Sequence, residues 1–129
     1  MIETPYRSLS PGDRRDAPAH EWRTLQRVLG VELLASLLRI SESSARRYLS
    51  GSRSTPDAIA ARLHFLALVV GDLAGAYNDI GVRHRFERRR SRLDGSTPAE
   101  ALGDPWSPED EGPRCVRDLS RALLSSPAT

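Results

Sequence analysis

Serine and arginine side chains are concentrated in one short stretch, residues 41–53, where they could contact phosphates and base edges. Ala45, Tyr48 and Leu49 fall at the spacing of a buried helix face, so the other positions point outward. The outward residues that we predict to contact DNA are Ser43, Ser44, Arg46, Arg47 and Ser50, and Arg53, in the loop after Gly51, is placed for a phosphate. Arginine can pair bidentately with guanine in the major groove, and serine hydroxyls suit phosphate oxygens. A solvated, charged helix face is the alternative, and Glu42 at the helix start favours it.

Start and stop signals around this stretch define two short helices. Residues 31–38 are strongly apolar, Ser41 can N-cap a helix over 42–50, and Gly51 can end that helix. Two short helices joined by a tight turn form a helix-turn-helix, in which the second helix is anchored on one face and open on the other. The sequence therefore predicts a helix-turn-helix at about residues 31–51.

The rest of the chain supplies helices that could support this unit. A helix is expected at 20–29, and Thr55-Pro56-Asp57 carries an N-cap followed by proline at the first helical position. From Ile59 to Tyr77 apolar residues recur every three or four positions, which predicts a central helix of about 24 residues. Asn78 to Gly81 should break it, and shorter helices are expected at 82–92, from Thr97 to near Gly103, and at 114–125, with a loop at 104–113.

These elements give an all-α fold, a helix-turn-helix bundle around a long central helix with a small C-terminal helical subdomain. Residues 1–19 mix proline, glycine, serine and charge without periodicity, so we expect a flexible arm. Residues 20–79 would form the helix-turn-helix domain and residues 80–129 the C-terminal region. No strand-like alternation is present in the sequence.

Composition favours a small cytoplasmic protein. The chain has 129 residues, and its single cysteine, Cys115, excludes an intramolecular disulfide. No apolar run approaches the roughly 20 residues of a membrane span, and the first residues lack the order of a signal peptide. The pI near 9.2 overstates the basicity, because the formal net charge is only +2 and every basic residue is arginine. Six arginines lie within 82–93 and acidic residues dominate 94–118, which suggests two surfaces with different partners.

Enzymatic signatures are missing from the sequence. His20, His64 and His84 are scattered and have no cysteine or acidic neighbours at metal-ligand spacing. Cys115 has no obvious base, and no P-loop or nucleophile elbow is found. We therefore expect no enzyme activity, no cofactor and no metal.

Two segments carry a resemblance to a known family. Residues 41–51 resemble the Ser-x-x-(Ser/Thr)-apolar-x-Arg-aromatic-x-x-Gly pattern of the Xre/MbcA/ParS antitoxins of type II toxin–antitoxin systems, and Pro56 follows as the family's proline does. Residues 93–102 are similar to the family's Leu-x-Gly-x-x-Pro-x-x-Leu/Leu segment. The resemblance spans residues 31–103.

The resemblance implies an antitoxin that binds a cognate toxin through its C-terminal region and represses its own operon by binding operator DNA. The toxin would commonly be of the RES-domain kind, which consumes NAD. Within that C-terminal region we expect toxin contacts at Phe86, Arg89, Trp106, Arg114, Arg117 and Arg121. Trp106 could equally pin its own loop to the core, and the arginines around Phe86 could hold DNA phosphates or form a solvated face.

A helix-turn-helix protein usually needs two recognition helices for specificity, so we expect a homodimer. Two other functions fit the same sequence. The chain could be a transcriptional regulator without a toxin, or an interaction protein whose helix-turn-helix is vestigial.

Overall fold

The computed structural model describes the backbone of residues 11–125 and the side chains of residues 18–123, and the regular structure in that part of the chain is all helical. The helices are α1 (Pro11–Leu29), α2 (Val31–Leu38), α3 (Glu42–Ser50), α4 (Asp57–Ala74), α5 (Asp79–Phe86), a 3-10 helix (Ser91–Leu93), α6 (Pro98–Leu102) and α7 (Glu111–Ser125). The predicted all-α fold is confirmed. None of the described helices is long and apolar enough to cross a membrane.

Helix α1 begins earlier than the sequence predicted. It starts at Pro11 instead of residue 20, so residues 11–19 of the predicted flexible arm are helical, and residues 1–10 of that arm lie outside the described residues. Trp22 and Leu25 are fully buried on its inner face. Gly30 separates α1 from α2 with a φ of 83°, a conformation that glycine adopts without strain.

The carboxyl end of α2 is closed by two adjacent backbone N–H groups and by two side chains from distant parts of the chain. Its last four carbonyl oxygens have no partner inside the helix, yet each accepts a hydrogen bond. The pairs are Ile40 N to Ala35 O (3.1 Å), Arg39 N to Ser36 O (3.2 Å), Trp106 Nε1 to Leu37 O (2.8 Å) and Arg62 Nη1 to Leu38 O (2.9 Å). Trp106 thus connects the loop before α7 to α2, and Arg62 connects α4 to α2.

Helix α4 is the central helix, since it packs against both α1 and α7. Its N-cap residue is Pro56, so the prediction of Thr55 as the N-cap is wrong. The Thr55 hydroxyl instead accepts a hydrogen bond from the indole nitrogen of Trp22, at 2.9 Å. The helix also ends at Ala74, short of the predicted end, because the chain turns at Gly75, whose N–H bonds back to the carbonyl oxygens of Asp72 and Leu73.

The C-terminal helices differ from their predicted bounds for local reasons. Asn78, which is predicted to break a helix, is the N-cap of α5, which begins at Asp79. Its Oδ1 accepts a hydrogen bond from Gly81 N at 2.8 Å. Helix α5 then ends at Phe86, and part of the predicted 82–92 helix is a short 3-10 turn. Helix α6 forms as predicted, and α7 starts at Glu111, earlier than predicted.

A single buried cluster holds these elements together. It contains Trp22 and Leu25 from α1, Leu66 from α4, and Val116 and Leu119 from α7. The cluster therefore includes residues from both the predicted helix-turn-helix region and the predicted C-terminal region.

Candidate nucleic-acid interface

Helix α3 has the ends that its sequence predicted. The Ser41 hydroxyl oxygen accepts a hydrogen bond from Ser44 N at 3.1 Å, which pairs one of the free N–H groups of the first turn. Gly51 follows the last residue with a φ of 84°, and its N–H donates to the carbonyl oxygen of Tyr48 at 3.2 Å. These caps define α3 from Glu42 to Ser50.

The inner face of α3 is fixed against α1. Ala45 is fully buried, and Leu49 is half-buried. The ring of Tyr48 stacks on Trp22 with 5.7 Å between centroids. The Trp22 indole also holds Thr55 in the loop after α3, so the helix and its following loop are both positioned by one buried side chain.

The outer face of α3 and the loop that follows it each present one arginine without an intramolecular partner. Arg47 and Arg53 are exposed, and neither side chain makes a hydrogen bond or ion pair with any other described residue. Ser43 is exposed as well. Ser44 is half-buried, and the Ser50 hydroxyl donates to the Arg47 carbonyl oxygen at 3.1 Å. Of the six predicted DNA contacts, these two serines are therefore the least available.

Arg46 is exposed but already paired. Its Nη2 lies 2.9 Å from Glu42 Oε1, one helical turn earlier, and both side chains remain open to solvent. An exposed pair at this spacing contributes only about 0.3–0.5 kcal/mol. A phosphate could displace Glu42 at that small cost, so the pair weakens the contribution of Arg46 without preventing it.

A groove of about 540 Å³ lies beside Arg46, and we call it the α3–α5 groove. Arg83 and His84 of α5 line it, together with Glu32 and Glu87. The Arg83 side chain is held in place by a 3.3 Å hydrogen bond from its Nη1 to the Val28 carbonyl oxygen. No pattern in the sequence placed Arg83 and His84 next to Arg46, because the helices that carry them are separated by α4.

Two of the predicted toxin contacts are core residues. Phe86 and Trp106 are each only 1% exposed. Trp106 packs edge-on against Phe65 with 5.4 Å between centroids, and its carbonyl oxygen accepts from Arg62 Nε at 2.7 Å. Of the two roles that the sequence left open for Trp106, the structure supports pinning its own loop to the core. Neither aromatic side chain is available to a partner in this conformation.

The four predicted arginine contacts divide into two groups. Arg117 donates through Nε to Asp72 Oδ2 at 2.8 Å, and only 20% of its side chain is exposed, so its role is to hold α7 against α4. Arg89 lies 3.3 Å from Glu100 but stays largely exposed. Arg114 and Arg121 are exposed on α7 without a partner among the described residues. Arg89, Arg114 and Arg121 thus remain candidates.

Glu100 has a perturbed pKa for a structural reason. Its carboxylate accepts from Thr97 N at 3.0 Å, and its own N–H donates to the Thr97 hydroxyl, which completes a capping box at the start of α6. The backbone N–H of Thr97, and then the nearby charge of Arg89, lower the pKa of Glu100. The Glu100 carboxylate therefore stabilises the start of α6.

No group of three or more histidine, cysteine or acidic residues among the described positions could hold a metal ion. Compared with protein-family models, curated proteins and solved structures, the chain matches none. The resemblance to the Xre/MbcA/ParS antitoxins therefore remains a prediction from residues 31–103.

Proposed function

We propose that this chain is the antitoxin of a type II toxin–antitoxin system, binding operator DNA through α3 and a cognate toxin through its C-terminal region. The observation that carries the proposal is the outer face of α3. The helix is held by Ala45 and the Tyr48–Trp22 stack, and its outer face presents Arg47, while the following loop presents Arg53, both without intramolecular partners.

The geometry of α3 suits a major groove. A nine-residue helix anchored along one face can lie in the groove with its outer face toward the bases. Arg47 would then read a base edge, while Arg53 in the following loop would contact a phosphate. Arg83, held beside Arg46 in the α3–α5 groove, would add a second phosphate contact.

Toxin binding is assigned to the predicted toxin contacts that are exposed arginines, Arg89, Arg114 and Arg121. Their charge suits an acidic toxin surface, and they leave α3 free for DNA. Phe86, Trp106 and Arg117 are omitted from this assignment, because they stabilise the antitoxin itself.

The experiment has two arms on the full-length chain. In the first, fluorescence anisotropy measures binding to a duplex from the region upstream of its own gene, over a series of salt concentrations. Several phosphate contacts should make the logarithm of the affinity fall steeply with the logarithm of the salt concentration. In the second, the tagged chain is co-expressed with the product of the adjacent gene and purified.

A stable stoichiometric complex that restores growth to cells expressing the adjacent gene is the expected result. Replacing Arg114 and Arg121 with alanine should release the partner and leave DNA binding unchanged. Operator binding without any complex would contradict the antitoxin proposal and leave a regulator without a toxin.

A further inference from the structure

Arg85 contains a buried donor without a partner. One guanidinium nitrogen, Nη2, donates to the Tyr77 hydroxyl at 2.7 Å, and the guanidinium carbon lies 4.3 Å from the centre of the Tyr77 ring. The other, Nη1, is buried and makes no hydrogen bond with the described residues. Leaving a charged donor unpaired away from water is unfavourable, so such an atom indicates a place for an acceptor.

A second arginine, Arg90, reinforces the positive charge at this point. It is half-buried, and it lines the same cavity as Arg85. The pKa of Arg90 is lowered mainly by its burial and, to a smaller extent, by repulsion from Arg85 and Arg88. Neither Arg85 nor Arg90 has a carboxylate partner in the described part of the chain. An anion would therefore be attracted to both.

The cavity itself is small and otherwise almost entirely apolar. Its volume is about 20 Å³, and its walls include Val69, Leu73, Phe86 and Val116. A cavity of this volume holds about one group of the size of a water molecule or a methyl group. Apolar walls of this kind favour a hydrocarbon group over a hydrated ion.

Ser120, the polar wall residue besides the two arginines, adds no charge of its own. The Ser120 hydroxyl donates to Asp72 Oδ2 at 2.8 Å, and the same carboxylate oxygen accepts from Arg117 at 2.8 Å. Asp72 is thus already paired and does not neutralise Arg85.

We propose that Arg85 and Arg90 bind a short aliphatic monocarboxylate, with its carboxylate on the guanidinium groups and its methyl end in the cavity. A guanidinium matches a planar carboxylate through two parallel hydrogen bonds. Phosphate has no apolar end that could occupy this cavity. The site is separate from α3, and the proposal does not depend on DNA or toxin binding.

The test is an NMR titration of the full-length chain with sodium propionate, at constant ionic strength set by sodium chloride. The Nε–Hε signals of Arg85 and Arg90 should shift and saturate at millimolar propionate. Propionamide, which has the same shape without the charge, should cause no saturable shift.

Arg90→Gln is the first variant, because the Arg90 side chain makes no hydrogen bond that the fold needs. It should weaken propionate binding at least about tenfold, whereas the exposed neighbour variant Arg89→Gln should bind like wild type. Val116→Ile, which fills the cavity and keeps both arginines, should also weaken binding. Circular dichroism confirms that each variant is folded.

Any of four results would overturn the proposal. These are no saturable shift with propionate, an equal response to propionamide, an equal response when chloride alone is varied, or unchanged affinity in folded Arg90→Gln.

Discussion

Trp106 offers the sharpest test of the fold, because the sequence left it equally suited to a partner surface and to the core. Its side chain is 1% exposed, and its indole N–H donates to the Leu37 carbonyl oxygen at 2.8 Å. Trp106→Phe keeps most of the ring and removes that donor. A buried acceptor left unpaired costs about 1–3 kcal/mol, so we expect a loss of about 2 kcal/mol in the free energy of unfolding. Trp106→Ala also empties the site and should cost about 4–5 kcal/mol.

Urea denaturation followed by far-UV circular dichroism measures both losses. The matched control is Ile80→Ala, since Ile80 is a large apolar side chain that is 55% exposed and should change stability by less than about 0.5 kcal/mol. A Trp106→Phe variant as stable as the control would refute the assignment to the core. Trp106 would then be a surface residue, free to anchor a partner.

Two further predictions concern the C-terminal helices. Gly112→Ala in α7 should lower the melting temperature markedly, because the new Cβ would lie 1.9 Å from the Ala101 carbonyl oxygen. The control is Gly71→Ala in the central helix α4, where nothing lies within 4 Å of the new Cβ, so alanine should raise the free energy of unfolding by about 0.5–1 kcal/mol. Equal effects of the two variants in thermal melts would contradict this packing. Glu100→Gln should be less stable than wild type at pH 7, because a lowered pKa contributes stability above the ordinary glutamate pKa of about 4.3. The difference in stability between the variant and wild type should vanish as the pH falls below the lowered pKa of Glu100. A difference that grows as the pH is lowered would contradict this prediction.

The bounds of α2 and α3 could be predicted because their signals are local. Ser41 and Gly51 cap α3 from adjacent positions, and the apolar run of α2 ends at the predicted residue. Local signals are insufficient where proline or asparagine is compatible with more than one structure. Pro18 falls in the predicted flexible arm but lies inside α1, and Asn78 is predicted to break a helix but caps α5.

The candidate site was predictable only in part, for a different reason. Exposure of Arg47 follows from the helical spacing around Ala45, and Arg53 lies in the loop that Gly51 begins, so the sequence contains both signals. The burial of Trp106 depends on Leu37, which is 69 positions away, and the role of Arg117 depends on Asp72, 45 positions away. Contacts between residues so far apart in the sequence depend on how the helices pack together. The residue pattern within a single helix does not predict them.

The central claim is that the outer face of α3 binds DNA, and fluorescence anisotropy with the Arg47→Ala variant tests it most directly. A lost base contact costs about 1–3 kcal/mol, so binding to the upstream duplex should weaken by about 5- to 150-fold. Arg121→Ala, which removes an exposed arginine from α7, should bind DNA like wild type. Unchanged affinity in folded Arg47→Ala, or an equal loss in Arg121→Ala, would contradict the claim.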